Sequence, residues 1–322
     1  MFFKSPTTRA GFSLLLVLIV GVVFNADGAF FEWGTHRDML RQISVYGILA
    51  CGMTLVVISG GIDLAVGSIM ALGAVLFSLL AIQYQWNGLI AAGVTIAAGA
   101  ACGALVGFFI ARFRIQPFIV TLAMMVFARG IAKLVSGGEK ISTAVQIADG
   151  SYEYVPIPPS FQFLDARVLG GNIALVTLVL LVCVIVCWLF LSQTVWGRRL
   201  YAIGGNEEAA WYSGVPVKKM KVLAYTLSGF FCAVAGMCQA GQEVQGDPET
   251  GVGYELTAIA MVVIGGTTLR GGRGTMGLTV LGILIIGSLE KILSINAVGE
   301  ETRLVLTGVI IVAAVLFQGK QS

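Results

Sequence analysis

Long apolar runs alternate along this chain with short polar ones, and the apolar runs have the length of membrane helices. A helix rises about 1.5 Å per residue, so about 20 apolar residues cross the roughly 30 Å hydrocarbon core of a bilayer. Ten such runs occur, at about 11–25, 40–60, 66–84, 88–111, 117–135, 171–192, 222–241, 254–268, 275–293 and 302–318. The first and eighth are short for a full crossing, which predicts tilted, broken or partly re-entrant segments there. The pattern predicts an all-α, polytopic integral membrane protein of about ten transmembrane helices, a single transmembrane domain over residues 1–322. Two polar stretches stand outside it, 136–170 with Pro156, Pro158 and Pro159, and 193–221.

Composition agrees with the pattern. Hydrophobic residues make up 57% of the chain and charged ones 11%, against about 25% charged in a soluble domain. Forty-two glycines suit helices that approach closely in lipid, where no hydrophobic effect drives them together. Charge then orients the spans. With the N-terminus inside, Lys4, Arg9, Arg112, Arg114, Arg198, Arg199, Lys218, Lys219, Lys221, Arg270, Arg273 and Lys320 fall in cytoplasmic segments. The expected external loops hold Glu139, Asp149, Glu153, Asp165, Glu243, Asp247, Glu249, Glu300 and Glu301, and few basic residues. Basic residues favour the cytoplasmic side, so the expectation is a bacterial plasma (inner) membrane protein with both termini cytoplasmic, an external loop at 136–170 and a cytoplasmic segment at 193–221. Lys4 and Arg9 before the apolar run 12–24, with Ala26, Gly28 and Ala29 after it, also fit a cleavable signal. Cleavage would leave nine spans in the same orientations.

Candidate chemistry is sparse. The six cysteines, Cys51, Cys102, Cys183, Cys187, Cys232 and Cys238, lie in or beside apolar runs and fit small buried hydrophobes. With His36 the only histidine, no metal set is visible and acid–base catalysis has no evident agent. A net charge of +3 gives no reason to expect nucleic acid.

The segment 197–221 reads GRRLYAIGGNEEAAWYSGVPVKKMK. Gly204 and Gly205 break the chain, and Asn206 is a good N-cap. Glu207 and Glu208 fall in a first helical turn, where the helix dipole favours negative charge. Gly214 suits the C-terminal stop, and Pro216 suits the first turn of a following helix. The expectation is a short helix of about two turns, carrying Trp211 and Tyr212 and flanked by basic residues.

Two glycine-rich motifs lie between apolar runs. In SGGIDLAVGS, 59–68, Asp63 either caps the following helix or lies with Gly60 and Gly61 along a polar pathway. In IGGTTLRGGRGT, 264–275, glycines again break the chain, with Gly265, Gly266 and Thr267 as weaker pathway candidates. The second motif lacks the GxxxxGK[ST] spacing of a phosphate-binding loop. Gly60-Gly61-x-x-Leu64-x-x-Gly67 and Gly265-Gly266-x-x-Leu269-x-x-Gly272 share a spacing, as internal repeats of transporters do; so few letters also fit chance.

Three stretches resemble one family. Glu208-Ala209-Ala210-x-x-x-Gly214 resembles the EAA…G motif of ABC importer permeases, and the preceding AIGGNE, 202–207, resembles their ribose-type branch. GGIDLAVG resembles that branch's GGIDLSVG signature, with Ala65 in place of serine. GYELTAIA, 253–260, with the following IGGTTL resembles GYELDAIAAVVLGGTSL, with Thr257 in place of aspartate. The resemblance implies a type II ABC importer-like bundle. It also implies a partner ATP-binding-cassette ATPase that uses ATP and Mg, a soluble periplasmic or extracellular sugar-binding protein, and a second permease subunit, identical or related. This chain, in membrane lipid, would itself hydrolyse nothing and bind no cofactor. The cargo implied is a monosaccharide, a ribose-like pentose or a hexose. Asn206, Glu207, Glu208, Ala209, Ala210 and Gly214 would contact the ATPase. The alternatives are a nucleoside or small signalling sugar as cargo, an ion-coupled transporter, for which Asp63, Glu255 and Glu290 are the available carboxylates, and a membrane enzyme.

Overall fold

The computed structural model describes residues 5–146, 151–299, 301–303, 305, 306, 308 and 309. Eight helices among them are long and apolar enough to cross a membrane: α1 (Pro6–Val23), α2 (Trp33–Ile58), α3 (Val66–Ser78, prolonged by a π-helical turn, Leu79–Gln83), α4 (Gly88–Phe113), α5 (Pro117–Ser136), α7 (Leu175–Gln193), α10 (Val217–Glu243) and α12 (Met276–Ile295). They match the expected spans one to seven and nine. The eighth is α11 (Tyr254–Gly265), 12 residues and about 18 Å long, half a crossing. The tenth, 302–318, lies mostly outside the described residues.

At the centre α10 packs between α2, α3 and α4. Glycine makes that possible. Gly99, Gly103 and Gly107 recur every four residues on α4, and a Cβ on them would stand 2.6 Å from Gly229 O, 2.0 Å from Tyr225 O and 2.6 Å from Val222 Cα. Small residues at this spacing let two backbones touch where lipid supplies no hydrophobic drive. Short polar links add direction: the Thr54 and Thr279 hydroxyls lie 2.7 Å apart between α2 and α12, and Ser44 donates to Thr177 at 3.1 Å.

The two ends of the bundle differ in charge. One, the basic end, carries Arg112, Arg114, Arg198, Arg199, Lys218, Lys219 and Arg270, and the start of α1 reaches it through Pro6 beside Gly266. At the other, acidic end, the cations are mostly paired: Arg41 with Asp165, Lys133 with Glu249 at 2.5 Å, and Lys140 with Asp247 at 3.0 Å. Asp247 holds the exposed Lys140 ammonium above the ordinary lysine range.

The polar stretch 136–170 folds onto this acidic end. It contains an antiparallel hairpin, β1 (Ala144–Gln146) with β2 (Tyr152–Tyr154), a helix α6 (Pro159–Asp165), and the start of a second pair, β3 (Arg167–Val168) with β4 (Ile173–Ala174). Phe161 of α6 is buried and stacks on Phe77 of α3 with centroids 5.0 Å apart. The loop therefore caps the ends of α3 and α10 as well as connecting α5 to α7.

Candidate functional site: a glycine junction beneath an exposed helix

Beyond α7 the chain leaves the bundle at the basic end. The Thr194 hydroxyl caps α8 (Val195–Gly205) by accepting the Gly197 N–H at 3.0 Å. Gly204 and Gly205 stay helical, and the break comes at Asn206, one residue later than the sequence pattern suggests, with φ −161° and ψ 106°. Asn206 Oδ1 accepts the Ala209 N–H at 2.9 Å and starts α9 (Glu207–Tyr212). Gly214, at φ +79°, turns the chain into α10. The expected short helix, its cap and its stop are all present.

Most of α9 is exposed. Glu207, Glu208, Ala209, Gly214, Trp211 and Tyr212 face outward, and Ala210 alone is buried. The Glu207 carboxylate pairs with Lys221 Nζ at 2.7 Å, which ties α9 to the first turn of α10. Trp211 and Tyr212, their rings 4.9 Å apart, are 61% and 74% exposed. Two adjacent bare aromatics on a six-residue helix outside the membrane spans add little to this chain's own packing and present an exposed apolar patch.

Directly behind α9, the three glycine motifs meet. A Cβ on Gly204 would stand 1.9 Å from Ile58 O at the end of α2 and 2.4 Å from Gly272 N in the loop between α11 and α12. One on Gly271 would stand 2.8 Å from Gly60 Cα and 2.9 Å from Gly204 Cα. Gly60, Gly271 and Gly272 have φ of +82°, +84° and +70°, backbone conformations that glycine adopts without steric cost. The Gly272 N–H donates to Ile58 O at 2.9 Å, and Tyr201 of α8 donates to Gly274 O at 2.8 Å. Partial burial holds the Tyr201 phenol above its ordinary range. The end of α2, the end of α8 and the α11–α12 loop thus touch backbone to backbone. A cavity of about 270 Å³ opens beside them, lined among others by Gly60, Gly61, Asn206, Glu207, Lys221 and Arg270.

The pathway candidates divide. Gly60 and Gly61 line this cavity. Asp63 does not: it is buried, its Oδ1 accepting the Ala65 N–H at 3.0 Å and its Oδ2 the Ser228 hydroxyl at 2.8 Å. With Tyr225 donating to Ile62 O at 3.3 Å, it stitches the extended segment 60–65 onto α10. Gly265 and Thr267 are also buried; Gly265 packs against α12, where a Cβ would meet Leu278 O at 2.1 Å, and Gly266, at φ +115°, turns the chain beside them.

The sequence reading placed Glu243, Asp247 and Glu249 in an external loop and missed that the segment 244–253 enters the bundle. It descends from the acidic end to Gly251, which packs against Gly67 at the start of α3. There the Tyr254 ring lies 4.2 Å from that of Tyr46, about 18 Å along α2 from its basic end. Arg129 of α5 donates to Pro248 O and, at 2.7 Å, to Thr250 O, which satisfies carbonyls that no helix or strand serves.

The family model described as "Branched-chain amino acid transport system / permease component" matches residues 37–315. The ribose import permease of Escherichia coli (strain K12) is 36% identical over 96% of this chain and 92% of its own length. The fructose import permease of Rhizobium meliloti is 34% identical over 97% and 85%, and the L-arabinose permease of Escherichia coli (strain K12) is 37% identical over 94% and 89%. No solved structure matches the chain. The chain belongs to the sugar ABC importer permease family.

Proposed function

We propose that this chain is the pore subunit of an ABC importer that carries a monosaccharide into the cytoplasm by alternating access. Its relatives named for ribose, fructose and arabinose supply the cargo class. The observation that carries the mechanism is the glycine junction, where an exposed helix outside the spans is joined backbone to backbone to α2 and to the α11–α12 loop. In this reading the basic end is cytoplasmic, both termini lie there, and the membrane is the bacterial inner membrane. A separate ATPase subunit, using ATP and Mg, grips Asn206, Glu207, Glu208, Ala209, Ala210 and Gly214. When the ATPase dimer closes, α9 moves, and contacts that leave no room for a side chain pass the displacement to α2 and α11. A soluble sugar-binding protein delivers cargo at the acidic end, and a second permease, identical or related, completes the pore. This chain hydrolyses nothing and binds no cofactor.

The test is uptake of a radiolabelled monosaccharide panel into proteoliposomes holding the permease, its ATPase and its binding protein. Uptake of one sugar is expected only with ATP, and Glu208→Lys is expected to abolish it while leaving the permease folded. Glu208 is exposed, and reversing its charge at a helix N-terminus costs only about 0.3–1 kcal/mol of helix stability. Uptake that persists without the ATPase would replace this reading with ion-coupled transport. ATP-driven uptake of a nucleoside instead of a sugar would keep the machine and change the cargo.

A further inference from the structure

Surface residues at membrane depth divide by helix. Those of α4, α5 and α7 are largely apolar: Leu89, Ile90 and Phe108 on α4, Phe118, Val126 and Phe127 on α5, Leu181, Val186 and Trp188 on α7. No Asp, Glu, Lys or Arg occurs between Gly88 and Ala111 or between Leu175 and Gln193. A second face, made by α2, α10, α11 and α12, is different. On α2, Gln42 is exposed and Tyr46, one turn further in, is partly so. On α10, Glu243 is exposed at the acidic end, and Gln239 one turn below donates to it at 2.5 Å. The Tyr254 ring, first in α11, leans on Tyr46 with an interplanar angle of 32° and has Glu243 and Glu290 as its carboxylate neighbours. A charged side chain facing lipid is costly, and intramembrane ionisable groups face a bundle interior or a water-filled cavity. Glu243 ends α10 at the rim, where a carboxylate is ordinary, but Gln239, Gln42, Glu290 and the two tyrosines lie below it beside the exposed Val252 and Leu256, and a face with that many polar groups is not a lipid face. It runs from the mouth at Glu243 down to the paired rings at mid-depth.

We propose that this face is the wall of a water-filled vestibule, open at the acidic end, in which Tyr46 and Tyr254 form the floor that receives the cargo. Its chemistry selects an uncharged polyhydroxylated ring. Aromatic faces cover the apolar side of such a ring, while Gln42, Gln239, Glu243 and Glu290 accept its hydroxyl hydrogens. Glu243, exposed at the mouth, repels anions, while Arg303 offsets Glu290, so phosphorylated sugars are disfavoured at the mouth where free sugars enter. The proposal rests on the importer reading for the identity of its cargo; the existence of the vestibule does not depend on it.

The test uses the assembled complex in proteoliposomes and a membrane-impermeant thiol reagent added on the acidic side. All six native cysteines are buried, so within this chain an introduced thiol is read alone, and the unsubstituted complex gives the background from its partners. Glu243→Cys and Tyr254→Cys are expected to react, and the lipid-facing controls Val126→Cys and Leu181→Cys are not. The transported sugar, delivered by its binding protein at a concentration that saturates uptake, is expected to slow labelling of Glu243→Cys, which leaves both rings in place, severalfold relative to the sugar-free binding protein. The corresponding sugar phosphate is expected to leave the rate unchanged. Using two positions guards against one variant failing to fold, which the elution profile of the complex reports. Labelling no faster than the controls overturns the vestibule. Labelling that the sugar does not slow overturns the cargo floor. Failure of the importer reading shows separately, as absence of ATP-dependent uptake by the unsubstituted complex.

Discussion

At the scale of single residues, Asp63 shows how a carboxylate is kept inside a membrane bundle. The sequence offered a helix cap or a pathway group, and the structure gives a buried latch. Both oxygens accept, from the Ala65 N–H and the Ser228 hydroxyl. Asp63→Ala would strip both acceptors and leave two buried donors unpaired, at about 1–3 kcal/mol each. Asn is different. Its Oδ1 can still accept from Ala65, and its amide can donate to Ser228, whose hydroxyl is also an acceptor. Thermal unfolding of the purified permease should therefore place Asp63→Ala well below the native protein and Asp63→Asn close to it. If Asn is as destabilising as Ala, the negative charge rather than the hydrogen bonds holds the segment, and the latch account fails.

At the scale of elements, α9 is a helix held by its ends. Six residues form too few internal hydrogen bonds to persist alone, so the Asn206 cap, the Gly214 turn and the Glu207–Lys221 pair hold it. Asn206→Ala removes one of these and costs about 1 kcal/mol locally, too little to unfold the bundle. The expected outcome is normal expression and thermal stability with reduced sugar-stimulated ATP hydrolysis, measured on the same preparation. Full stimulation would mean that α9 needs no preformed helix to couple. This element was legible because its signals are local: a capping side chain, two carboxylates in the first turn and a glycine stop fall within nine residues. The long spans were legible for the same reason, as apolar length is a local property. The segment 244–253 was not. It is polar, has no periodicity, and is held by Arg129 and Gly67, more than a hundred residues away in the chain. The half-length of α11 follows from it, which is why the eighth run, read as short for a full crossing, is a helix of 12 residues.

At the scale of the whole molecule, two irregular segments enter from opposite ends and meet. The stretch 60–65 comes from the basic end and leads into α3; the stretch 244–253 comes from the acidic end and leads into α11. They touch at Gly67 and Gly251, where a Cβ on Gly67 would stand 2.1 Å from Gly251 O and one on Gly251 2.5 Å from Gly67 O. Each segment is fastened to its own neighbour, the first to α10 through Asp63 and Tyr225, the second to α5 through Arg129. The glycine pair is therefore a contact between two separately anchored bodies, close enough for each to sense the other. In the proposed importer, displacement between the two ends would pass through this point, since a packed interior shifts between discrete arrangements rather than deforming continuously. Gly67→Ala adds one methyl group there while leaving both anchors, α9 and the glycine junction untouched. The helical backbone at Gly67 is one alanine adopts without strain, but the methyl group would overlap the Gly251 carbonyl, so the segment 244–253 must shift and the effect falls on the contact itself. The expected result is a folded permease that binds its ATPase normally and hydrolyses ATP at its unstimulated rate, but loses most sugar uptake. Wild-type uptake in Gly67→Ala would show that the two segments move independently, and the coupling route would then have to run through α2 and the α11–α12 loop alone.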